Sequence, residues 1–233
     1  MIHIKLKVLI LKLRKIIIQI IEREKKVRVL INMLRIFIFF LFVLSFLSGK
    51  TQQNYLVLGN THSLCLDSNV FSLQSSIDSL GKYDVLFIFS GATSSLSETD
   101  LDRIESFLSE GKGVYVGCEN WPLQAEAQQL TKRLFSKEFW GETNESIATT
   151  NVLSESIFND KSTIPAGNSI VLFPLDVRLN VEAWVKDEPV ILSSEFFGGR
   201  LILDGGYSRF YCSDMNSDTD EVWNILLNYL NGE

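Results

Sequence analysis

The sequence has few of the side chains that most often carry enzymatic chemistry. Its 233 residues include two histidines, His3 and His62, and three cysteines. A zinc site could be formed by His62 with Cys65, Cys118 and Cys212. These residues are scattered along the sequence, however, and none of the cysteines is part of a Cys-x-x-Cys pair. In an oxidising compartment, an odd number of cysteines predicts one disulfide plus one buried thiol, or three buried thiols. We favour these outcomes over a metal site, and we expect no cofactor.

Positive charge is scarce over most of the chain. Residues 1–50 hold 11 of the 22 Lys and Arg but only 2 of the 28 Asp and Glu, a net charge of +9. The other 183 residues therefore carry 11 basic and 26 acidic groups, a net charge of −15. This acidity argues against nucleic acid or anionic lipid as a partner of the folded part. Those 183 residues suffice for one domain with a substantial core.

A long hydrophobic run occurs only near the N-terminus, at residues 34–48. Its length is typical of a signal-peptide core and falls short of the roughly 20 residues of a membrane span. We expect residues 33–53 to be a signal peptide or a membrane anchor with its linker. The domain behind it would then be exported, and bound to the membrane through residues 34–48 if they are not cleaved. The basic, low-complexity residues 1–32 are either a membrane-surface helix or sequence upstream of a true start at Met33.

From residue 54 onward, strand and helix patterns alternate. Near-continuous apolar runs are typical of strands covered on both faces, whereas apolar residues three or four apart indicate helices. Ser97, with an acid three residues later, predicts a helix start. Residues 136–168 show little periodicity and predict loops or short strands. Strands are predicted at 55–59, 84–89, 113–118, 169–173, 189–193 and 200–204, and helices at 70–80, 97–110, 122–135 and 218–230. This alternation predicts a three-layer α/β domain over residues 54–233.

Cys118 ends one apolar strand and directly precedes a predicted helix. Several α/β enzymes keep a nucleophile in that position. A working thiolate needs a base or a helix N-terminus beside it, and the carboxylate of Glu119 opposes it. The alternative is a small buried residue at a strand end.

A second distinctive segment starts at Asp204 and continues through Gly205 and Gly206 to Arg209. Two glycines after a buried strand allow a sharp turn or the close approach of a ligand. Arg209 could bind a carboxylate or phosphate. Alternatively, it pairs with Asp204 or Asp214 inside a structural turn.

These elements resemble the core of class I glutamine amidotransferase-like domains. The resemblance rests on a strand followed by Ser90 and Gly91, a capped helix, the strand before Cys118, and a helix with Gln124 and Ala127. It implies a flavodoxin-like sandwich with a mostly parallel central sheet, here preceded by an N-terminal hydrophobic helix.

The chain is more similar to the ThuA-like and DUF4350-like exported relatives of those enzymes, through His62 after the first strand and the glycine-rich strand at 199–206. It departs from the amidotransferase nucleophile turn, Gly-x-Cys-x-Gly, at Val116 and Asn120. The histidine that the family carries on a late strand is also missing.

We therefore expect a non-catalytic extracytoplasmic domain that binds a small ligand or a protein partner. Its ligand-binding residues would lie at the carboxyl edge of the sheet and are Ser90, Gly91, Glu119, Asp204, Gly205, Gly206 and Arg209. The alternative is a cysteine hydrolase that uses Cys118 as nucleophile and His62 as base.

Overall fold

The computed structural model describes residues 54–233 except Ser68, Ser95, Trp140, Asn144, Ser154, Asp160 and Pro174. The predictions for residues 1–53, including the hydrophobic helix and the anchor at 34–48, lie outside the described residues. Within the described part, no helix combines the length and apolar character needed to cross a membrane.

Nine strands form one mixed sheet in the order β2-β1-β3-β4-β9-β8-β7-β5-β6. The strands are β1 Tyr55–Gly59, β2 Phe71–Leu73, β3 Val85–Phe89, β4 Gly113–Gly117, β5 Ile147–Thr150, β6 Thr163–Pro165, β7 Asn180–Val185, β8 Glu188–Phe196 and β9 Gly199–Asp204. The neighbours from β2 through β1, β3 and β4 to β9 pair in parallel. The neighbours from β9 through β8, β7 and β5 to β6 pair antiparallel.

The prediction of a mostly parallel sheet is therefore right for one half of the sheet and wrong for the other. The two-residue connections 186–187 and 197–198 join β7 to β8 and β8 to β9. Connections this short can only link antiparallel strands, because a parallel pair needs a crossover of a dozen residues or more.

Within the described residues, three α-helices accompany the sheet: α1 Glu98–Ser109, α2 Ala125–Phe135 and α3 Ser217–Asn231. Two short 3-10 helices lie at Leu80–Lys82 and Tyr207–Phe210. The predicted start of α1 is confirmed, since the Ser97 hydroxyl accepts from the Asp100 amide and the Asp100 carboxylate accepts from the Ser97 amide. Asn216 caps α3 in the same manner.

Alternate residues of the parallel strands enter two different hydrophobic clusters. One cluster joins Leu56, Leu86 and Val114 to the apolar sides of α1 and α2. The other contains Val57 and Phe87 together with residues of α3. The strands are thus buried on both faces, which explains their continuous apolar sequences.

The helix predicted over residues 70–80 is wrong. Phe71–Leu73 instead forms the edge strand β2, paired in parallel with β1. The apolar residues that suggested a helix go to different places: Val70 packs against one cluster, whereas Ile77 and Leu80 belong to the other. Leu73 is half exposed. Helical spacing over so short a segment therefore arose from an edge strand followed by a 3-10 turn.

The strand predicted at 169–173 is not one of the nine strands. Residues 169–172 are buried and donate hydrogen bonds across the ends of the sheet, from the Ile170 amide to the Gly205 carbonyl and from the Leu172 amide to the Pro189 carbonyl. Its apolar sequence reflects burial without a regular ladder. Strand β7, by contrast, gave no clear sequence signal because it includes the polar residues Asn180 and Glu182.

Candidate functional site

The parallel strands β1, β3, β4 and β9 all end at one edge of the sheet, called here the carboxyl edge. The predicted site residues follow these strand ends, so they are brought to one side of the molecule. The structure divides them between a buried polar network and an open cleft.

An ion pair lies at the centre of the buried network. Arg209 Nη2 is 3.1 Å from Asp204 Oδ1, and neither side chain has exposed surface. Asp204 also accepts hydrogen bonds from the Tyr115 hydroxyl at 2.7 Å and the Gly206 amide at 2.9 Å. Arg209 Nη2 donates to the Ala166 carbonyl at 2.7 Å. Of the partners foreseen for Arg209, the structure selects Asp204.

The two glycines of this segment allow backbone segments to approach each other. A Cβ atom at Gly205 would lie 2.2 Å from the Ile170 carbonyl oxygen, and one at Gly206 would lie 2.1 Å from that of Ala166. Both distances are far below any real contact, so a side chain is excluded at either position. Here the close approach is to the protein's own segment 166–170.

Glu119 belongs to the same network. Its carboxylate accepts from the Ser208 amide and, at 3.3 Å, from the Tyr211 hydroxyl. Only 4% of the residue is exposed. Burial raises the pKa of this carboxyl above its usual value, although the hydrogen bonds from Ser208 partly offset the effect.

Cys118 lies inside this network and is 2% exposed. Its amide donates to the Asp204 carbonyl at 2.8 Å, and its sulfur lies 3.5 Å from the same oxygen. Burial, followed by the charges of Asp204 and Glu119, raises the pKa of the thiol well above its ordinary value. A nucleophilic cysteine needs the opposite environment.

His62, the proposed base, lies on an exposed turn after β1. Among the described residues, the hydrogen bond of the Cys118 thiol goes to a backbone carbonyl, and none joins it to His62. The geometry thus shows no nucleophile–base pair.

Cys65 and Cys212 form a disulfide, and Cys118 is a free buried thiol. This is the first of the two outcomes left open by the sequence. Backbone contacts also join the two segments around these cysteines. The Cys212 amide donates to the Ser63 carbonyl at 2.9 Å, and Leu64 and Tyr211 form an isolated antiparallel β-bridge. In the part of the chain that the structure describes, no three His, Cys, Asp or Glu side chains are grouped to hold a metal ion.

The carboxyl edge also has an open cleft of about 750 Å³ at the ends of β1, β2 and β3. It is lined by Val57, Leu58, Gly59, Asn60, Thr61, Leu73, Gln74, Ser75, Gly91, Ala92, Thr93, Leu123 and Glu126. After β1 the chain moves to one neighbouring position in the sheet, β2, and then to the other, β3. Open α/β sheets bind ligands outside such a point, where the strand order reverses.

The cleft offers hydrogen-bonding groups and little positive charge. Its lining includes no Lys or Arg, and its one carboxylate, Glu126, accepts from the Gly91 amide at 2.8 Å. Asn60 Nδ2 donates to the Tyr207 hydroxyl at 3.1 Å, which donates to the Ser90 carbonyl at 2.9 Å. Because Tyr207 directly follows Gly206 in the chain, these bonds bring the cleft wall next to the segment that holds the buried network.

Of the predicted ligand-binding residues, only Gly91 lines the cleft. Ser90 is buried behind it, where its hydroxyl accepts from the Ala127 amide at 3.0 Å. Sequence reasoning missed Asn60, Thr61 and Gln74. The signal available in the sequence was Gly59 at the end of β1, directly before Asn60. The structure requires glycine there, because its φ is +92° and a Cβ atom would lie 2.0 Å from the Phe89 carbonyl oxygen.

Several solved structures share this fold at low sequence identity. The "mmIFT52 N-terminal domain" superposes with a TM-score of 0.55 at 9% identity, covering 76% of this chain and 97% of its own. "Cytoplasmic Protein STM1381 from Salmonella typhimurium LT2" has a TM-score of 0.54 at 11% identity, covering 76% of this chain and 100% of its own. At such identities these likenesses show the fold alone.

A ThuA-like protein from Bacteroides uniformis ATCC 8492 superposes with a TM-score of 0.49 at 12% identity, covering 78% of this chain and 91% of its own. No family model and no curated protein sequence matches the chain.

Proposed function

We propose that residues 54–233 form a non-catalytic, extracytoplasmic domain that binds a small polar ligand. Its architecture would be the three-layer flavodoxin-like sandwich of class I glutamine amidotransferase-like domains, similar to that of ThuA-like and DUF4350-like domains. The observation that carries the proposal is the cleft of about 750 Å³ at the reversal of strand order.

The size and chemistry of the cleft support a small-molecule ligand. Such sites commonly enclose about 300–1,000 Å³. Asn60, Thr61, Ser75 and Thr93 bring amide and hydroxyl groups to the lining, and Glu126 is its only charged side chain. With a carboxylate and no cation, the cleft favours a neutral or positively charged polar ligand over an anion.

Cys118 supports binding over catalysis. Its thiol is buried and its pKa is raised, so thiolate is scarce near neutral pH. Among the described residues, the lining of the cleft includes no cysteine and no histidine. The hydrolase alternative would require both groups to move.

The disulfide supports a location outside the cytoplasm. Both Cys65 and Cys212 are exposed, and exposed disulfides persist mainly in oxidising compartments. This agrees with the export segment expected at 33–53.

A thermal-shift screen of the full chain tests the proposal, with neutral sugars, amino acids and small amines at millimolar concentration as probes. A ligand at 100 times its Kd should stabilise the folded state by about 2.7 kcal/mol. Gly91→Leu should abolish the shift, because its side chain would extend into the cleft. An added Cβ there lies 3.7 Å from its nearest neighbour, so the fold has room for it.

Gly81→Leu is the matched control, since a Cβ at Gly81 meets nothing within 4 Å and Gly81 does not line this cleft. It should retain the full shift. A probe that stabilises Gly91→Leu as strongly as the parent would show that the cleft is not the site. Turnover of a probe that disappears in Cys118→Ser would favour the hydrolase.

A further inference from the structure

The disulfide between Cys65 and Cys212 joins two segments that both lead to the cleft. Cys65 lies on the turn after β1, and Thr61, at the start of that turn, lines the cleft. Cys212 follows the 3-10 helix at Tyr207–Phe210. Both cysteines are exposed to solvent, so a reductant can reach them while the domain stays folded.

Two hydrogen bonds connect the second segment to the cleft lining. The Tyr207 hydroxyl accepts from Asn60 Nδ2 at 3.1 Å and donates to the Ser90 carbonyl at 2.9 Å. Asn60 lines the cleft, and Ser90 directly precedes Gly91, which also lines it. Tyr207 has no exposed surface. The direction of the Asn60 amide therefore depends on how the turn after β1 sits against Tyr207.

Besides the disulfide, backbone contacts hold the turn after β1 to this second segment. The Cys212 amide donates to the Ser63 carbonyl at 2.9 Å, and Leu64 forms a β-bridge with Tyr211. Ser63 is exposed, so water competes for its hydrogen bond. The disulfide is the covalent part of the attachment, and it is the part that a change in redox conditions removes.

We propose that the disulfide between Cys65 and Cys212 is a redox switch that sets the ligand affinity of the cleft. This inference rests on the proposed function of the cleft as a ligand site. In the oxidised state, the turn after β1 is held against Tyr207 and Asn60 is fixed in the cleft wall. In the reduced state, the turn leaves Tyr207 in more of the molecules, and the cleft loses a preorganised wall.

The reductant is a protein dithiol of the thiol–disulfide oxidoreductase class. One of its thiolates attacks an exposed sulfur of the disulfide and forms a mixed disulfide, while the other cysteine leaves as a thiolate and takes up a proton. The second thiolate of the reductant then closes its own disulfide and releases the remaining cysteine, which is also protonated. Two electrons and two protons thus pass from the dithiol to Cys65 and Cys212. Cys118 takes no part, because it is buried.

Fluorine NMR of the full chain, labelled with 3-fluorotyrosine, tests the switch without a ligand. The oxidised protein is compared with the protein reduced by dithiothreitol, and Tyr207→Phe identifies the Tyr207 resonance. This resonance should shift or broaden on reduction, because its hydroxyl loses Asn60 in part of the population. Tyr115, whose hydroxyl donates to Asp204 at 2.7 Å in the buried network, is the internal control and should not change.

Two results of this measurement would overturn the switch. One is an unchanged Tyr207 resonance in protein whose Cys65 and Cys212 are shown to be free thiols by alkylation and mass spectrometry. The other is an equal change at Tyr115, because the disulfide would then act on the whole fold.

Calorimetric titration of the same two states with glucose, glycine and ethanolamine measures the effect on the cleft. A probe that binds the oxidised protein should bind the reduced protein at least about tenfold more weakly, because fewer molecules have the binding-competent wall. Equal affinity in both states would overturn the switch and leave the ligand site intact. Binding of no probe in either state would count against the ligand site, and the Tyr207 resonance then decides the switch alone.

Two variants separate the disulfide from the hydrogen bond that it controls. Tyr207→Phe keeps the disulfide but removes the hydroxyl that holds Asn60, so the oxidised variant should bind a probe as weakly as the reduced parent does. Cys118→Ser is the matched control, since it replaces the thiol outside the disulfide, and it should keep the full response to dithiothreitol. A response that disappears in Cys118→Ser would assign the redox sensitivity to Cys118 and overturn the proposal.

Discussion

Arg209 Nη2 lies 3.1 Å from Asp204 Oδ1, and both side chains are completely buried. The pair joins the last residue of β9 to the 3-10 helix at Tyr207–Phe210. Since neither charge reaches water, each depends on the other for compensation. The segment from Asp204 to Arg209, which resembled a ligand site in the sequence, thus stabilises the fold at the carboxyl edge.

Removing one member of the pair should be costly. Arg209→Met should lower the free energy of unfolding by about 3–5 kcal/mol, because it leaves the buried Asp204 carboxylate without a counter-charge. Urea unfolding measures this loss. Adding Asp204→Asn should recover part of it, since no lone charge then remains. A double variant as unstable as the sum of both single variants would contradict the coupling.

An exposed pair provides the control. Lys132 Nζ lies 2.6 Å from Glu138 Oε1, but both side chains are more than half exposed. Lys132→Met should change the free energy of unfolding little, because water already solvates both charges. A loss similar to that of Arg209→Met would mean that burial does not explain the difference.

Glu119 should make the protein less stable as pH rises. Burial raises its pKa in the folded state above the reference value of 4.5. Between these two values the folded state binds more protons than the unfolded state, so stability falls with increasing pH. Glu119→Gln should remove this fall. The test is the difference in unfolding free energy between parent and variant from pH 4 upward; a constant difference would refute it.

Asp176 should show the opposite sign. The hydrogen bonds from Arg178 lower the pKa of Asp176 to about 2 from 3.8. Its contribution is present above pH 3.8 and is lost as pH falls toward 2. Comparing Asp176→Asn with the parent by urea unfolding between pH 2 and pH 5 should reveal a difference that grows with pH. A difference that shrinks with pH would exclude this linkage.

The sequence predicted the elements whose signals are local. β1 has the predicted limits, and Ser97 and Asp100 cap α1 as expected. Pairing across the sheet is different, because strand direction depends on partners distant in sequence. Hence β7 was missed, and a mostly parallel sheet was expected although half of the sheet is antiparallel.

The candidate site was only partly predictable for a similar reason. A strand end locates the carboxyl edge, but burial there depends on which segment covers it. The segment 166–170 covers Gly205 and Gly206, whereas no described segment closes the space beside Gly91. Gly91 and the pair Gly205 and Gly206, which all follow buried strands, therefore have different surroundings.

Cys118 should react slowly with thiol reagents. Its burial and raised pKa both suppress the thiolate, which is the reacting species. The rate of modification by dithionitrobenzoate at pH 8 should be at least about tenfold lower in the folded protein than in guanidinium. The reagent reaches the thiol only when the structure opens locally, and each 1.4 kcal/mol of opening free energy lowers the population of the open state about tenfold. Rapid modification of the folded protein would revive the nucleophile interpretation.

The disulfide should stabilise both the fold and the cleft. Cys65 and Cys212 are 147 residues apart in the sequence. Cross-links over long loops strongly restrict the unfolded chain, so replacing both cysteines by serine should cost about 2–5 kcal/mol. The linked segment follows Asn60 and Thr61 in the cleft wall, so their amides should exchange hydrogen faster in the variant. Exchange within α1, at Glu98–Ser109, is the internal control, measured where the variant stays folded. Equal acceleration in both regions would mean that the disulfide acts only on global stability.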